Sequence, residues 1–275
     1  MGKIHEALHK AEQMRRDAPA QPEAASAPLE TTAPRAPERR LGWLARRKAK
    51  RPTSLPPGAA ISTGEATLSE EYRTLRARIQ SLRRTRELRS IVITSTRPSE
   101  GKTTTAANLA LSFGLEREGT TCLVDADLRT PRVHQAFRNA GPVGLVEVLE
   151  GDAKLDEALV AVPDTRLSVL PVRALPTAPS ELLASRAMSD LVAELHTRFH
   201  TVIFDAPPVL GLPDTVTLVD LCDAALFVVG AGSAPREEVD SALERLDASK
   251  VLGVVLNRCD SSEVPYAGSY GYGKS

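Results

Sequence analysis

The sequence predicts an α/β protein with a mainly parallel central sheet flanked by helices. Two observations carry this. From Leu88 onward, strand-like and helix-like stretches alternate, and several strand-like ones are unbroken aliphatic or β-branched runs, as in strands buried on both faces. The chain has 275 residues, 42% hydrophobic and 25% charged, enough for one such domain with a full core and appended segments.

Taken in order, residues 3–16 place Ile4, Leu8, Ala11 and Met14 at helical spacing, which predicts an amphipathic helix over 1–16. This helix is a frayed surface element or a docking peptide. Residues 17–66 hold eight of the twenty prolines and are rich in Ala, Thr and Glu, which predicts a disordered linker. Within it, the basic run 39–51 around Trp43 is either a solvated charge run or a peripheral contact with anionic lipid.

Residues 67–87 predict a helix opened by a Thr67/Glu70 capping box, with Leu68, Tyr72, Leu75, Ile79 and Leu82 forming an apolar stripe. The strands are expected at Ser90–Ser95, Thr121–Asp125, Leu167–Val172, Thr201–Asp205, Ala224–Gly230 and Val251–Asn257. Helices are expected near 103–117, 179–199 and 235–248, with a shorter helix and loops over 142–166. The main domain is thus bounded at 67–262. A glycine-rich tail over 263–275 holds Tyr266, Tyr270 and Tyr272, three of the four tyrosines, and predicts a flexible segment.

Composition excludes several classes. A formal net charge of zero does not suit a nucleic-acid binder. No apolar run reaches the ~20 residues of a membrane span, and no secretory signal opens the chain. Cys122, Cys222 and Cys259 are isolated and lack metal-ligand spacing, which fits a reducing, cytosolic compartment.

The chemistry-bearing loop is Thr96-Arg97-Pro98-Ser99-Glu100-Gly101-Lys102-Thr103-Thr104, between a strand and a helix. It fits the P-loop pattern except that Thr96 stands where the first Gly is expected. Gly101 permits close approach of backbone N–H groups to phosphate, and the following helix contributes its positive end. Lys102 supplies a point charge and Thr103 a hydroxyl for Mg²⁺. Two further strands end in carboxylates: Asp125 and Asp127 on one, Asp205 on the other, all at the carboxyl edge where such sheets bind ligands. ATP with Mg²⁺ is the expected ligand.

With Ser69–Arg76, Thr96–Thr103, Val124–Arg129, Pro179–Leu183, Ile203–Pro208 and Val254–Arg258 in this order, the sequence resembles the bacterial tyrosine kinases of capsule and exopolysaccharide synthesis. These are P-loop NTPases of the MinD/ParA-like class, and the N-terminal residues resemble stand-alone cytosolic members that accompany an exosortase system. The resemblance implies a non-specific protein-tyrosine kinase that phosphorylates its own tail tyrosines in trans. Lys102 would hold the β- and γ-phosphates, and Thr103, Asp127 and Asp205 would hold the metal. Asp125 would act as general base, Asn257 with Arg258 would recognise adenine, and Glu70, Arg73 and Arg76 would join subunits into a ring when unphosphorylated.

The implied partners are a transmembrane polysaccharide chain-length regulator as activator and a cognate tyrosine phosphatase. The implied location is the inner face of the cytoplasmic membrane. The alternatives are an ATPase switch resembling partitioning and division-site proteins, which carry a signature lysine where this chain has Arg97, or a nucleotide-binding scaffold without kinase activity.

Overall fold

The computed structural model describes residues 69–137 and 141–259. The expected N-terminal helix, the linker with its basic run, Thr67, Leu68 and the tyrosine tail lie outside the described residues. In chain order the elements are α1 (Glu70–Leu82), β1 (Ser90–Ser95), α2 (Lys102–Gly114), β2 (Thr121–Asp125), α3 (Val133–Ala136), α4 (Leu145–Glu150), α5 (Leu155–Ala158) and β3 (Val160–Ala161). Then come β4 (Leu167–Leu170), α6 (Pro179–Leu183), α7 (Arg186–Arg198), β5 (Thr201–Asp205), α8 (Asp214–Leu221), β6 (Ala224–Gly230), α9 (Arg236–Leu243) and β7 (Val251–Asn257).

The strands form one seven-stranded sheet in the order β3-β4-β2-β5-β1-β6-β7, and every pair is parallel except β3 with β4. The all-buried strands β1, β2, β5 and β6 send alternate residues to opposite faces, as a pleat requires. Val92, Val124, Phe204 and Phe227 meet α4 to α9 on one face. Ile91, Ile93, Leu123, Ile203 and Val228 meet α1 and α2 on the other. Because α1 packs over it, α2 is buried along nearly its whole length.

Several boundaries differ from the expected ones for local reasons. Helix α1 begins at Glu70 with Ser69 in the capping position, so the Thr67/Glu70 box does not open it, and Ser69 makes no side-chain cap bond. Of the expected stripe, Ile79 is buried against α2 and Tyr72 and Leu75 pack beside it, while Leu82 is exposed. Strand β4 stops before Pro171, which has no N–H to continue a ladder. The Pro171 carbonyl instead accepts from Leu145 N at 2.8 Å. The expected helix 179–199 is two helices, because the Ser185 hydroxyl accepts from Met188 N at 3.2 Å and starts α7 afresh. Helix α8 falls in a stretch whose Pro207, Pro208, Gly211 and Pro213 suggest only loop.

Candidate active site

The strand order determines which side chains can meet. β5 lies between β1 and β2, so the chain crosses over it on the way from the P-loop strand to the next. The register sets Asp125 abreast of Asp205 and Ile93 abreast of Asp205. All three strand ends therefore open on one carboxyl edge, beside the loop that follows β1.

That loop takes left-handed backbone at Ser99 (φ 66°) and Gly101 (φ 97°), a shape that turns successive N–H groups toward one side. It leads into α2, whose first turn has no side-chain cap, so its free N–H groups and positive end face the same space. The Glu100 carboxylate points away from that space. It accepts from Arg97 N at 2.8 Å, from Gly230 N at 3.3 Å and from Ser233 Oγ at 2.5 Å, anchoring the loop to the end of β6. Arg97 also turns away, in a two-pronged pair with Glu238 of α9 at 2.5 and 2.6 Å. These two loop residues thus brace the cradle, and their side chains do not line it. Thr96 is fully buried, with no partner for its hydroxyl.

Lys102 Nζ lies 2.7 Å from Asp127 Oδ2 and 3.6 Å from Asp205 Oδ1, with the lysine side chain only 8% exposed. Burial works to lower the pKa of this ammonium, but Asp205, Asp127 and Asp125 outweigh it and hold it above the ordinary lysine value. Burial would raise Asp127, yet Lys102 and the Thr130 N–H and hydroxyl keep its carboxyl below the usual range. Asp125 goes the other way. Its burial and the neighbouring Asp205 raise it well above an ordinary carboxyl, against one bond from Val133 N at 2.9 Å. Asp205 is also raised by burial, with Lys102 opposing. Thr103 approaches Asp205 closely enough to favour its charged form, but neither Asp205 oxygen has a hydrogen bond of proper geometry.

Three buried carboxylate oxygens therefore lack a donor: both of Asp205 and Oδ1 of Asp125. Such atoms are costly unless a ligand satisfies them. Among the described residues, no group of three or more His, Cys, Asp or Glu side chains closes around a point by itself. Mg²⁺ does not require that. It takes one or two carboxylates together with substrate phosphates and water, and these hard, unsatisfied oxygens fit it.

Asn257, at the end of β7, donates from Nδ2 to the Glu100 carbonyl at 2.9 Å. A Cβ on Gly101 would lie 1.9 Å from that same Nδ2. Gly101→Ala should therefore add left-handed strain of about 1–2 kcal/mol and push Asn257 off the loop. Nucleotide titration is expected to show ATP binding weakened about tenfold, equivalent to ~1.4 kcal/mol. Unchanged affinity would mean that the loop opens freely.

Of the residues expected to join subunits, Glu70 and Arg73 form an exposed pair at 3.5 Å. Arg76 is engaged within the protomer, donating to the Ser112 carbonyl at 2.5 Å and pairing with Glu116 at 3.2 Å. No sequence pattern singles out Arg173 and His134 near the carboxyl edge; Arg173 carries positive charge there, and burial and that guanidinium lower the pKa of His134 and favour its neutral form. Two nitrogens of Arg173 and one of His134 are buried without an acceptor. Cys122 and Cys222 are buried, their thiols pushed up by burial, and are unreactive packing residues.

A parallel sheet with a phosphate cradle and acidic strand ends at one edge defines a P-loop nucleotide-binding protein. A ParA family ATPase from Chlorobium tepidum TLS shares the fold, with a TM-score of 0.51 at 18% identity over 63% of this chain and 75% of that one. Tyrosine-protein kinase YwqD of Bacillus subtilis (strain 168) is 37% identical over 214 residues, 77% of this chain and 90% of its own length. The chimerical protein CapA2B2 has a TM-score of 0.67 at 32% identity, covering 72% of this chain and 88% of its own. The succinoglycan biosynthesis transport protein ExoP of Rhizobium meliloti (strain 1021) is 34% identical over 209 residues, 74% of this chain but 26% of that longer protein. No protein-family model matches the chain. The chain belongs to the bacterial tyrosine kinase family of capsule and exopolysaccharide biosynthesis.

Proposed function

We propose that this chain is an ATP-dependent protein-tyrosine autokinase that regulates exopolysaccharide polymerisation and export. Its acceptors are Tyr266, Tyr270 and Tyr272 of a neighbouring copy. The observation that carries the reading is Lys102, held between Asp127 and Asp205 at the mouth of a phosphate cradle with Asp125 beside them.

The triphosphate lies on the loop N–H groups and the start of α2, with Lys102 turning from Asp127 toward the β- and γ-phosphates. Thr103, Asp127 and Asp205 would hold Mg²⁺, which when bound neutralises charge on the β- and γ-oxygens. Asp125 has one oxygen fixed by Val133 N and the other free, and its raised pKa suits a proton acceptor. As the tyrosine oxygen bonds to the γ-phosphorus, the bond to the β-phosphate oxygen breaks. The hydroxyl proton passes to Asp125 and ADP leaves. Asn257, with one N–H on Glu100, keeps its carbonyl oxygen and second N–H for the adenine edge, with Arg258 adjacent.

Arg97, pinned to Glu238 in the same chain, gives no support to the ATPase-switch alternative. Glu70 and Arg73 are the exposed residues for a ring contact, while Arg76 secures α1 to α2. No helix among the described residues is long and apolar enough to cross a membrane. Recruitment to the inner membrane face would then fall to a transmembrane chain-length regulator and the basic run 39–51. The match to a succinoglycan biosynthesis transport protein about four times the matched length supports a transport-linked partner, and a tyrosine phosphatase would reset the tail.

With Mg-ATP, the protein is expected to acquire phosphotyrosine, and changing Tyr266, Tyr270 and Tyr272 together to Phe should remove most of it. Mass spectrometry locates the sites. Undiminished phosphotyrosine in the triple variant would put the acceptors elsewhere.

A further inference from the structure

The segment Pro179–Leu183 has no part in the mechanism above, and α8 is an element the sequence did not suggest. The two meet at one point. Ser180 Oγ donates to Asp214 Oδ1 at 2.5 Å. Arg129 Nη2 donates to the same Ser180 Oγ at 2.8 Å, and Arg129 Nε donates to Asp214 Oδ2 at 2.9 Å. The three side chains close a ring from three separate segments: the loop two residues beyond Asp127, α6, and the first position of α8. Asp214 is 2% exposed, so its carboxylate depends on these partners.

The next residue extends the connection. Thr215 Oγ1 donates to the Pro207 carbonyl at 2.6 Å, and Thr94 Oγ1 of β1 donates to that same oxygen at 2.7 Å. The first turn of α8 is thereby tied to the Asp127 loop, to the segment after Asp205, and through one carbonyl to the P-loop strand.

Asp127 is held by Lys102 and by Thr130 of its own loop. When Lys102 turns to phosphate, the Thr130 contacts remain, but they are local to the loop and do not fix it against the domain. Arg129 does, through two acceptors on α6 and α8. We infer that Arg129, Ser180 and Asp214 are positioning residues that keep Asp127 at the metal when the nucleotide draws Lys102 away. The inference rests on the kinase reading only for its effect on transfer rate; its effect on Mg²⁺-dependent nucleotide binding is independent of the acceptor. A guanidinium suits this role because its planar fork reaches two acceptors at once, which an ammonium does not match.

The test uses the full chain with Ser180→Ala, Asp214→Asn and Arg129→Lys, and Ser180→Thr as the conservative control. ATP affinity is measured with a fluorescent ATP analogue, first in EDTA and then against rising Mg²⁺, alongside autophosphorylation rate and thermal melting. Because the cradle is untouched, affinity in EDTA is expected to stay within about threefold of wild type. The Mg²⁺ concentration for half-maximal tightening should rise about tenfold. The transfer rate should fall by roughly 10²-fold, the scale of a ~1 Å misplacement. Ser180→Thr, which retains the hydroxyl, should restore most of both.

A wild-type Mg²⁺ response in Ser180→Ala and Asp214→Asn would overturn the inference. So would losses in Ser180→Ala that vanish once variant and wild type are compared at temperatures where each is fully folded, since that is the mark of a purely structural contact. If wild type itself yields no phosphotyrosine, autokinase activity of the chain without an activator falls, while the Mg²⁺ titration still decides the positioning role.

Discussion

Lys102→Met is expected to abolish tyrosine phosphorylation and to lower the melting temperature at neutral pH, with the second effect shrinking as the buffer is acidified. The ammonium is the counter-charge for a buried acidic cluster, 2.7 Å from Asp127 and 3.6 Å from Asp205. Removing one partner of a buried pair typically costs about 3–5 kcal/mol, because the other is left uncompensated. The sign with pH follows from the shifts. Lys102 is raised in the folded state, so its stabilisation is complete below the ordinary lysine range and is lost only as pH rises through the folded value, well above neutrality.

In the variant, Asp127 loses the charge that depresses it, and it joins Asp125 and Asp205 as a raised acid. A raised acid takes up protons on folding, so stability falls as pH rises above about 4, the unfolded value, through the folded one. Thermal melting from about pH 8 down to about pH 5 should therefore bring the variant toward wild type. Activity should not return on acidification, because the transition-state charge has lost its point cation, a loss of about 10²–10³-fold or more. A variant as stable as wild type at neutral pH would show that the cluster is already neutralised by protons, without the lysine.

The placement of the acidic strand ends at one sheet edge is legible in the sequence. Buried parallel strands announce themselves as aliphatic runs, and their carboxyl ends are where side chains can converge. That is why Asp125 and Asp205 could be placed at one edge from Cys122–Asp125 and Val202–Asp205 alone. The pattern does not contain strand order. That β5 lies between β1 and β2, setting Asp205 directly beside Asp125, depends on crossovers that local sequence does not encode.

Side-chain direction within the loop was equally hidden. Glu100 and Arg97 sit inside the P-loop motif yet face the scaffold, because their partners Gly230, Ser233 and Glu238 lie 130 or more positions away. Helix α8 was masked by the prolines and glycine that precede it, although Asp214 directly after Pro213 followed by Leu218 and Val219 was the available signal. Arg129, Ser180 and Asp214 show the same limit. Each stands in readable sequence, but their meeting depends on three segments that only the tertiary fold brings together.

Asp125→Asn separates catalysis from stability in opposite directions. Asp125 can be viewed as a cap, since its Oδ2 accepts from Val133 N at the start of α3. If capping were its whole role, the amide would keep that bond through its own oxygen and the rate would hardly change. The other oxygen argues for more: it is buried, without a donor, and the group is raised by burial and by Asp205 abreast of it. Keeping a charge there is unfavourable, and the sign is clear. With the folded pKa above the unfolded one, Asp125 costs stability as pH rises from the unfolded value to the folded one, and the cost is complete above it.

Replacing it with a neutral isostere should therefore leave the melting temperature at about pH 8 equal to or above that of wild type. The rate should fall by about 10²–10⁴-fold, the usual contribution of a positioned base, with ATP affinity little changed. The wild-type rate should climb with pH through a value above the ordinary carboxylate range, and the residual rate of the variant should lose that dependence. Measured together, kcat, KM for ATP and melting temperature distinguish a base from a cap. A base costs rate while sparing or raising stability. A cap spares the rate and leaves stability nearly unchanged, because the amide oxygen keeps the bond from Val133 N and the proton of the tyrosine would then be leaving by another route.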